Sequence, residues 1–379
     1  MTKFRLFTPG PTMVPDDVLL EMAQPIQHHR TGFYRDLLKE VTEGLQYVFQ
    51  TKATCLTVSG SGTSAMEGAI VACSPPGAKA LVARGGKFGE RWATVCETFG
   101  IDHAVYEVEW GHGAKADRIR EQLDADAAIK TVIVVHSETS TAAVSEVREI
   151  AAITRERDVL LIVDGITAVG AIESRMDEWG VDVTVTGSQK AMMLPPGLGF
   201  AAVNDRAWQR IESWKPPLFY TAPAPYRKAL ATFDAPYTPA IPQVRGARVS
   251  LRRIRDEGIE SVWKRTTALA RATRAAAEPL GLTVFAADPV DSVTALTVPE
   301  TIDEPTLLKR LRAEFGLHLT GGQDRLQGHI IRLSHMGYID ALDTIGAIAG
   351  LEQVLKSMGQ PIELGAAIGT AQQSLAAAG

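Results

Sequence analysis

The chain has 379 residues, of which 45% are hydrophobic and 22% charged, and its formal net charge is −5 at pH 7. It is long enough for two domains, and its charge balance argues against nucleic acid or an anionic membrane as the main partner. Three cysteines without CxxC spacing favour a reducing compartment and give no zinc signature, so we expect a cytoplasmic protein without a metal. We expect neither a secretory signal nor a membrane span, because no apolar run approaches about 18 residues.

Short apolar runs alternate with helical patterns through the first two thirds of the chain. Runs that are rich in Val and Ile and apolar on both sides are typical of buried parallel strands. Their alternation with helices predicts an α/β fold with a doubly wound, mostly parallel sheet, in which ligands bind beyond the carboxyl ends of the strands. The predicted strands are 55–58, 80–83, 104–108, 131–135, 160–163, 183–186 and 199–203.

The last third of the chain begins differently, with a proline-rich stretch at 214–242 that cannot be one regular element. A helical region is expected from about residue 245 to 280, and alternating strand and helix patterns after it predict a smaller α/β domain. In the helix expected within 338–359, a stripe at helical spacing predicts a face that packs on the core. Its members are Leu342, Ile345, Ile348, Leu351 and Leu355. We therefore divide the chain into an N-terminal segment 1–20, a large domain 21–259 and a small domain 260–379.

Lys190 follows a predicted strand and stands among apolar residues in the stretch GSQKAMMLPPGL, 187–198. A lysine that loses solvation is more easily deprotonated, and a neutral amine is a nucleophile that can form a Schiff base. The residues alone leave open a lysine that simply extends into solvent at a strand end.

Other strand ends also carry polar groups. The loop SGSGT at 59–63 leads into a helix whose N-terminus suits a phosphate, although a helix capped by Ser64 and Glu67 explains the pattern as well. Asp164 follows an apolar strand and could hold a protonated ring nitrogen or cap a turn. The hydroxyl cluster HSETST at 136–141 could orient a ligand or form a turn. A phosphate loop, a strand-end aspartate and a strand-end lysine together are what pyridoxal 5'-phosphate (PLP) requires.

These segments resemble those of the class V aminotransferases of PLP fold type I, in the branch of the alanine–glyoxylate, serine–glyoxylate and serine–pyruvate enzymes. The resemblance covers nearly the whole chain. It implies a large domain with a mostly parallel doubly wound sheet, a smaller C-terminal α/β domain and an N-terminal segment that closes on the active site. The motifs that carry it are TPGPT (8–12), HHRTGF (28–33), SGSGTSAMEG (59–68), HSETST (136–141), VDGITAVGA (163–171), GSQKAMMLPPGL (187–198), PYTPAIP (236–242) and IRLSHMG (331–337).

The resemblance also implies a role for individual residues. Lys190 would form the Schiff base with PLP, and Asp164 would pair with the pyridinium nitrogen. Arg332 would hold the substrate carboxylate through a bidentate fork, close to Gly10 of the N-terminal loop. The remaining implied contacts are Ser61, Gly62, Thr63 and Gln189 for the phosphate, Phe88 and Ile166 for the two ring faces, Thr139 for the ring oxygen, and Tyr237 and Thr238 for the phosphate of the neighbouring subunit in a homodimer.

The activity implied is transfer of an amino group from alanine or serine to glyoxylate or pyruvate by a ping-pong mechanism through the Lys190 Schiff base. Enzymes of the same family with aspartate, ureidoglycine, 2-aminoethylphosphonate or pyridoxamine as donor remain open, as does a non-catalytic PLP-binding protein. Cysteine desulfurases need a nucleophilic cysteine near the C-terminus. Because the last cysteine is Cys96, we set that activity aside.

Overall fold

The computed structural model of the protein describes residues 3–378; residues 1, 2 and 379, at the outer ends of the predicted N-terminal segment and small domain, lie outside the described residues. Within the described range, none of the helices combines the length and apolarity that crossing a membrane requires. Up to residue 258 the elements are β1 (Arg5–Leu6), α1 (Asp16–Met22), α2 (Gly32–Phe49), β2 (Thr54–Ser59), α3 (Gly62–Ala72), β3 (Lys79–Arg84), α4 (Lys87–Thr98), β4 (His103–Glu107), α5 (Ala116–Ala125), β5 (Ile129–Val135), β6 (Ser137–Glu138), β7 (Ala143–Val144), α6 (Val147–Glu156), β8 (Leu160–Asp164), α7 (Met176–Trp179), β9 (Val183–Gly187), β10 (Leu198–Val203), α8 (Asp205–Glu212), α9 (Pro223–Leu230) and α10 (Ile241–Glu257). The later elements are α11 (Ile259–Ala275), β11 (Thr283–Val284), β12 (Val293–Thr297), α12 (Glu304–Phe315), β13 (Leu317–His318), β14 (Thr320–Gly321), a short 3₁₀ helix (Asp324–Leu326), β15 (Ile330–Ser334), α13 (Ala341–Ser357) and α14 (Ala366–Ala376).

Seven strands form the central sheet, in the order β2, β10, β9, β8, β5, β3, β4. Strand β10 is antiparallel to both of its neighbours, and the other six run in one direction. The mostly parallel sheet is thereby confirmed, and all seven predicted strands are present with ends that differ by at most two residues. The carboxyl ends of β5, β8 and β9 therefore meet at one edge of the sheet.

The central strands are apolar on both sides because helices cover both faces of the sheet. Along β8, Leu161 and Val163 pack in one core cluster, while Leu160 and Ile162 pack in the cluster on the opposite face. This is the alternation that a strand imposes on successive side chains. Continuous apolar sequence in a strand is the consequence, and the first polar residue of β8, Asp164, comes where the strand ends.

A second, four-stranded antiparallel sheet lies in the last third of the chain, in the order β11, β12, β15, β14. It packs with α12, α13 and α14 in a third core cluster. The predicted stripe on α13 is confirmed for Ile348, Leu351 and Leu355 and is wrong for Leu342, whose side chain is 77% exposed. The buried residues of α13 begin only at Thr344, so the first turn of this helix faces solvent there.

The helical region expected at 245–280 is two helices, because the chain between α10 and α11 passes through Gly258 with φ +84°. Helix α11 has Trp263 in the first core cluster and Leu269 in the third. The N-terminal strand β1 pairs in parallel with β13, with Arg5 opposite Leu317. The domain bounds at 20 and 259 remain predictions. Helix α11 contributes to both of these core clusters, and β1 pairs with a strand from the last third of the chain.

Candidate active site

Lys190 lies in the turn that follows β9, and its side chain is 8% exposed. Its Nζ donates a hydrogen bond to the backbone carbonyl oxygen of Pro9. Burial, with the charges of Arg332 and Arg91, lowers the pKa of the Lys190 amine to about 8, although the charge of Asp164 opposes this shift. The amine is therefore buried, and the alternative of a lysine that extends into solvent is wrong.

The N-terminal loop fixes the surroundings of this amine. Thr12 donates its hydroxyl to the carbonyl oxygen of Lys190 at 2.8 Å and its backbone N–H to that of Gln189 at 3.2 Å. Gly10 has φ +118°, and a Cβ at this position would overlap Nζ of Lys190. The loop thus lies directly on the lysine. The predicted role of Gly10 near a substrate carboxylate stays a prediction.

Asp164 ends β8 with its side chain buried at 3% exposure. Its Oδ2 accepts a hydrogen bond from the indole Nε1 of Trp92 at 2.8 Å, and its Oδ1 accepts one from the backbone N–H of Ile166 at 2.9 Å. Burial raises the pKa of the Asp164 carboxyl to about 6, and the two hydrogen bonds, with the charge of Lys190, limit this rise. The turn expected from the sequence is realised at Oδ1, while Oδ2 has a partner that the sequence did not indicate.

The glycine-rich loop leads into α3, with Ser61 as its N-cap in extended conformation. Ser64 donates its hydroxyl to the carbonyl oxygen of Ser61 at 2.7 Å. The capping box predicted for Ser64 and Glu67 is wrong, because the helix begins two residues earlier, at Gly62. Within the described chain, the side chain of Ser61 makes no capping bond. The backbone N–H of Ser64 donates to the carbonyl oxygen of Ser61 at 2.9 Å, so the N–H groups of Gly62 and Thr63 are the ones that suit an anion.

Gly62, Ile166 and Gln189 lie next to one another at this helix start. A Cβ on Gly62 would lie 2.7 Å from Cδ1 of Ile166, and one on Gly187 would lie 3.0 Å from Oε1 of Gln189 and 3.3 Å from the backbone N of Gly62. The Gln189 Oε1 is buried and has no hydrogen-bond partner among residues 3–378. A buried polar atom needs a partner, and here a bound ligand can supply it.

Helix α4 brings Phe88, Arg91 and Trp92 to the same edge. The Arg91 guanidinium lies over the Phe88 ring, 4.8 Å from its centroid, and donates to the Thr63 hydroxyl at 3.3 Å. The start of this helix is held by Glu138, whose Oε2 accepts the backbone N–H of Phe88 at 3.2 Å and that of Gly89 at 3.1 Å.

Sequence reasoning assigned no role to Glu138 or Trp92. A signal existed for Glu138, because an acid within a buried strand-end cluster needs donors. Trp92 has the pattern of an ordinary core residue, and nothing in the sequence pairs it with Asp164.

Arg332 lies on β15 with its side chain 5% exposed. Its Nε and Nη2 donate to the carbonyl oxygen of Gly321 at 3.0 and 2.8 Å, and its Nη1 donates to that of Thr139 at 2.9 Å. Its fourth contact is with the amide of Gln323, so in the described chain its hydrogen-bond partners include no carboxylate. Burial lowers the pKa of Arg332 to about 10. A buried guanidinium without a carboxylate partner suits an anionic ligand, and the alternative of a surface ion pair is wrong.

Thr139 reaches the site with its backbone carbonyl, which Arg332 contacts, whereas its hydroxyl hydrogen-bonds to that of Thr167 at 2.9 Å. Its predicted contact with a ring oxygen stays a prediction. The structure thus brings eleven of the thirteen predicted site residues to one edge of the central sheet or against each other there. The eleven are Gly10, Ser61, Gly62, Thr63, Phe88, Thr139, Asp164, Ile166, Gln189, Lys190 and Arg332.

Tyr237 and Thr238 are not among these eleven, although Ala240, two residues after Thr238, donates its backbone N–H to the hydroxyl of Ser59 at 3.2 Å. The ring of Tyr237 stacks on Tyr220 with centroids 5.1 Å apart, and its hydroxyl donates to the carbonyl oxygen of Phe219 at 3.1 Å. Phe219 is 78% exposed. In the described chain these contacts join Tyr237 to other aromatic residues, and its role at the site of a second subunit stays a prediction.

Comparison with known proteins places this geometry in context. The model of the family "Aminotransferase class-V" matches residues 5–339. The chain is 35% identical to the L-aspartate–glyoxylate aminotransferase of Paracoccus denitrificans, over 97% of this chain and 95% of that protein. It is 35% identical to the serine–glyoxylate aminotransferase of Methylorubrum extorquens, over 98% and 95%.

A further relative, the protein of Anabaena cylindrica named soluble hydrogenase 42 kDa subunit, is 37% identical over 94% of each chain. Among solved structures, the alanine–glyoxylate aminotransferase of a Nostoc species superposes with a TM-score of 0.89 and is 28% identical, over 94% of this chain and 96% of that one.

Proposed function

Because the chain belongs to the class V aminotransferases and is a PLP-dependent enzyme of fold type I, we propose that it moves an amino group from L-alanine or L-serine to glyoxylate or pyruvate. Glyoxylate is supported as acceptor because it occurs in the names of all three aminotransferases compared above, whereas the donor differs among them. The observation that carries the proposal is the buried amine of Lys190 beside the buried carboxyl of Asp164.

The residues at the sheet edge fit PLP. The start of α3 offers N–H groups to a phosphate, and the buried Oε1 of Gln189 lacks a partner in residues 3–378. Side-chain amide nitrogen and oxygen are interchangeable by rotation, so Gln189 can present either a donor or an acceptor there. Asp164, held by two N–H groups, suits a protonated ring nitrogen. When bound, PLP supplies an electron sink for the carbanion at the substrate Cα.

Lys190 is proposed as the group that moves the proton. With its pKa near 8, its amine is partly neutral close to neutral pH, so Nζ can accept the proton from the substrate Cα and later return it. The carbonyl oxygen of Pro9 orients this nitrogen, and Gly10 leaves the room that it needs.

Arg332 is proposed to bind and orient the substrate carboxylate. Its guanidinium is held in place by backbone carbonyl oxygens, so a carboxylate meets a fork that is already oriented. Because the donor and the acceptor each carry one carboxylate next to the reacting carbon, a single arginine serves both. This supports a ping-pong order in which the two substrates use the same site in turn.

The visible spectrum of the PLP-loaded protein tests this proposal. L-alanine, L-serine and L-aspartate are added one at a time, and glyoxylate or pyruvate follows. Bleaching of the yellow absorption by alanine or serine, and its return with glyoxylate, is the expected result. Bleaching by aspartate alone would indicate L-aspartate as the donor, as in the name of the Paracoccus relative. A band that no amino acid changes would contradict the proposed donors.

The same measurement tests the non-catalytic alternative, since bleaching by any of the three amino acids would contradict a protein that only binds PLP. The name of the Anabaena relative is not carried over, because no specific observation in residues 3–378 favours it over amino-group transfer.

We further propose a homodimer in which Tyr237 and Thr238 complete the phosphate site of the partner subunit. The exposed rings of Phe219 and Tyr220 around Tyr237 support a surface that a second chain covers. Sedimentation tests the oligomeric state, and a fully active monomer would contradict it.

We also propose a cytoplasmic location. Cys55, Cys73 and Cys96 are unpaired and buried, as a reducing compartment allows. Fractionation of the cells that make the protein tests this location.

A further inference from the structure

We propose that Trp92 is a positioning residue, which holds the Asp164 carboxylate charged and in a fixed orientation towards the ring nitrogen of the cofactor. The proposal deepens the proposed function and rests on it for the role of that nitrogen. The contact between Trp92 and Asp164 is independent of any cofactor, which allows the two to be tested separately.

The geometry leaves the carboxylate little freedom. Trp92 is fully buried, and its Nε1 lies 2.8 Å from Oδ2 of Asp164. The other oxygen, Oδ1, accepts the backbone N–H of Ile166 at 2.9 Å. The two donors come from different elements, α4 and the turn after β8. A rotation of the carboxylate would therefore break both bonds at once.

The indole is itself fixed because α4 cannot shift. Glu138 accepts the backbone N–H groups of Phe88 and Gly89 in its first turn. A Cβ on Gly89 would lie 2.8 Å from the carbonyl oxygen of Ala83, so the helix packs backbone to backbone against the end of β3. Phe88, implied as a ring-stacking residue, and Trp92 are one helical turn apart. The helix thus presents both to the same site.

The charged groups around Asp164 divide into two sets. Lys190 and Arg91 favour its ionised form. Burial and the nearby carboxyl of Glu138 disfavour it. The ring of His136, at the end of β5, is neutral because burial lowers its pKa to about 4. Burial has the largest effect on the pKa of the Asp164 carboxyl, and the N–H donors of Ile166 and Trp92 are the largest of the effects that oppose it.

Removal of the Trp92 donor would leave Oδ2 without a hydrogen bond inside the described chain. A hydrogen bond to a charged group is strong enough to shift the pKa of a carboxyl by about one to two units. In Trp92→Phe, Asp164 would therefore take up a proton at a pH about one to two units higher. A protonated Asp164 no longer balances the charge of a protonated ring nitrogen.

Trp208 provides a matched control. It is also buried, at 1% exposure, and its Nε1 has no hydrogen-bond partner in residues 3–378. Trp208→Phe removes the same ring volume from the same core cluster but no hydrogen bond to a carboxylate. A difference between the two variants therefore reports the N–H and not the loss of packing.

The first experiment measures the affinity of the apo-protein for PLP across pH by equilibrium dialysis. The wild type and Trp208→Phe are expected to lose affinity at the same acidic pH, and Trp92→Phe at a pH about one to two units higher. Coinciding profiles for Trp92→Phe and Trp208→Phe would overturn the proposal. A wild type that bound no PLP at any pH would contradict the cofactor itself, and the apo-protein measurement below would still decide the role of Trp92.

The second experiment needs no tryptophan variant to fold. In apo-protein labelled with ¹⁵N-tryptophan, each of the six indole N–H groups gives one resonance. One resonance is expected to move with pH in the wild type, with a midpoint that reports Asp164, and to stay fixed in Asp164→Asn. The proposal would be overturned if the chemical shifts of the indole resonances changed neither with pH nor on the Asp164→Asn substitution.

Discussion

Two regions of the molecule differ in how far their side chains are buried and hydrogen-bonded within a single chain. We call Lys190, Asp164 and Arg332, with their hydrogen-bond partners, the catalytic floor, and residues 219–238 the aromatic segment. The three floor side chains are at most 8% exposed, and their charged groups are hydrogen-bonded within the chain. In the aromatic segment, Phe219 is 78% exposed and the ring of Tyr237 pairs with those of Phe219, Tyr220 and Tyr226.

The difference follows from where each region lies. Parallel strands carry their last residues to one edge, where backbone groups of neighbouring strands are available as partners. The aromatic segment follows the last strand of the sheet, contains several prolines and has only one helix, α9. We infer that the floor depends on one chain and the aromatic segment on two. The following predictions test this difference, from the largest expected effect to the smallest.

Lys190→Ala should reduce turnover by at least about a thousandfold, since it removes the amine that we propose moves the proton. The rate of the amino-group transfer with alanine and glyoxylate is the measurement. The exposed Lys264→Ala serves as control and should keep the wild-type rate. Transamination by Lys190→Ala at a near wild-type rate would contradict the proposed role of Lys190.

Arg332→Lys should raise the KM for the amino acid by about tenfold to a hundredfold, with a smaller change in kcat. A lysine keeps the charge but cannot bond to both Gly321 and Thr139 and still offer a planar fork to the substrate. Steady-state kinetics with each substrate measure the effect. Arg310→Lys, at a half-buried position of α12 where the side chain pairs with Glu314, is the control. An unchanged KM would place the carboxylate elsewhere.

Tyr237→Ala tests the other side of the comparison. If Tyr237 serves the partner's site, Tyr237→Ala and Lys190→Ala damage different sites of one mixed dimer and leave the other site complete. Reassociation of equal amounts should restore about a quarter of the wild-type activity, because about half of the dimers are mixed and each has one intact site. Activity of the mixture no higher than the average of the two separate variants would show that Tyr237 acts in its own chain or not at all.

The smallest effect concerns the acid stability of the segment that follows β15. His335 comes directly after this strand with its side chain buried, and burial, with the charge of Arg274, lowers its pKa to about 3. A histidine kept neutral in the folded state gives stability that is complete above its unfolded pKa of about 6.5 and is lost as pH falls towards 3. In this window wild type should lose about 1 kcal/mol per pH unit more than His335→Gln.

Chemical unfolding at several pH values measures this slope. The raised pKa of Asp164 acts in the opposite direction, but it is present in both proteins and cancels in their difference. The exposed His329→Gln is the control and should follow the wild type. Equal slopes for wild type and His335→Gln would show that His335 does not titrate in this window.

The sequence was sufficient for the strands, since Val- and Ile-rich runs covered on both faces have few alternatives. It did not indicate that β10 runs against its neighbours, because strand order depends on long-range pairing that no local pattern records. Gly258 could have indicated the break between α10 and α11. The exposure of Leu342 could not be predicted, because it depends on which turn of α13 first packs against the core.

The candidate site shows the same limit. Lys190 and Asp164 were predictable because a charge at the end of an apolar strand needs an explanation. Trp92 was not, because the indole that bonds to Asp164 comes from a helix distant in sequence and its apolar surroundings match any core residue. Polar partners that approach from another element thus escape a reading of local patterns.

The N-terminal segment connects Lys190 to the four-stranded sheet through hydrogen bonds. The residue after β1, Phe7, accepts a backbone hydrogen bond from Ser334 at the end of β15 at 2.8 Å. Pro9 lies two residues further on, and its carbonyl oxygen accepts a hydrogen bond from Nζ of Lys190. A displacement of the small sheet relative to the large one would carry this oxygen with it and change the basicity of Nζ. We therefore expect the proton affinity of the amine to depend on the relative position of the central and the four-stranded sheet, through an N-terminal segment that belongs to neither.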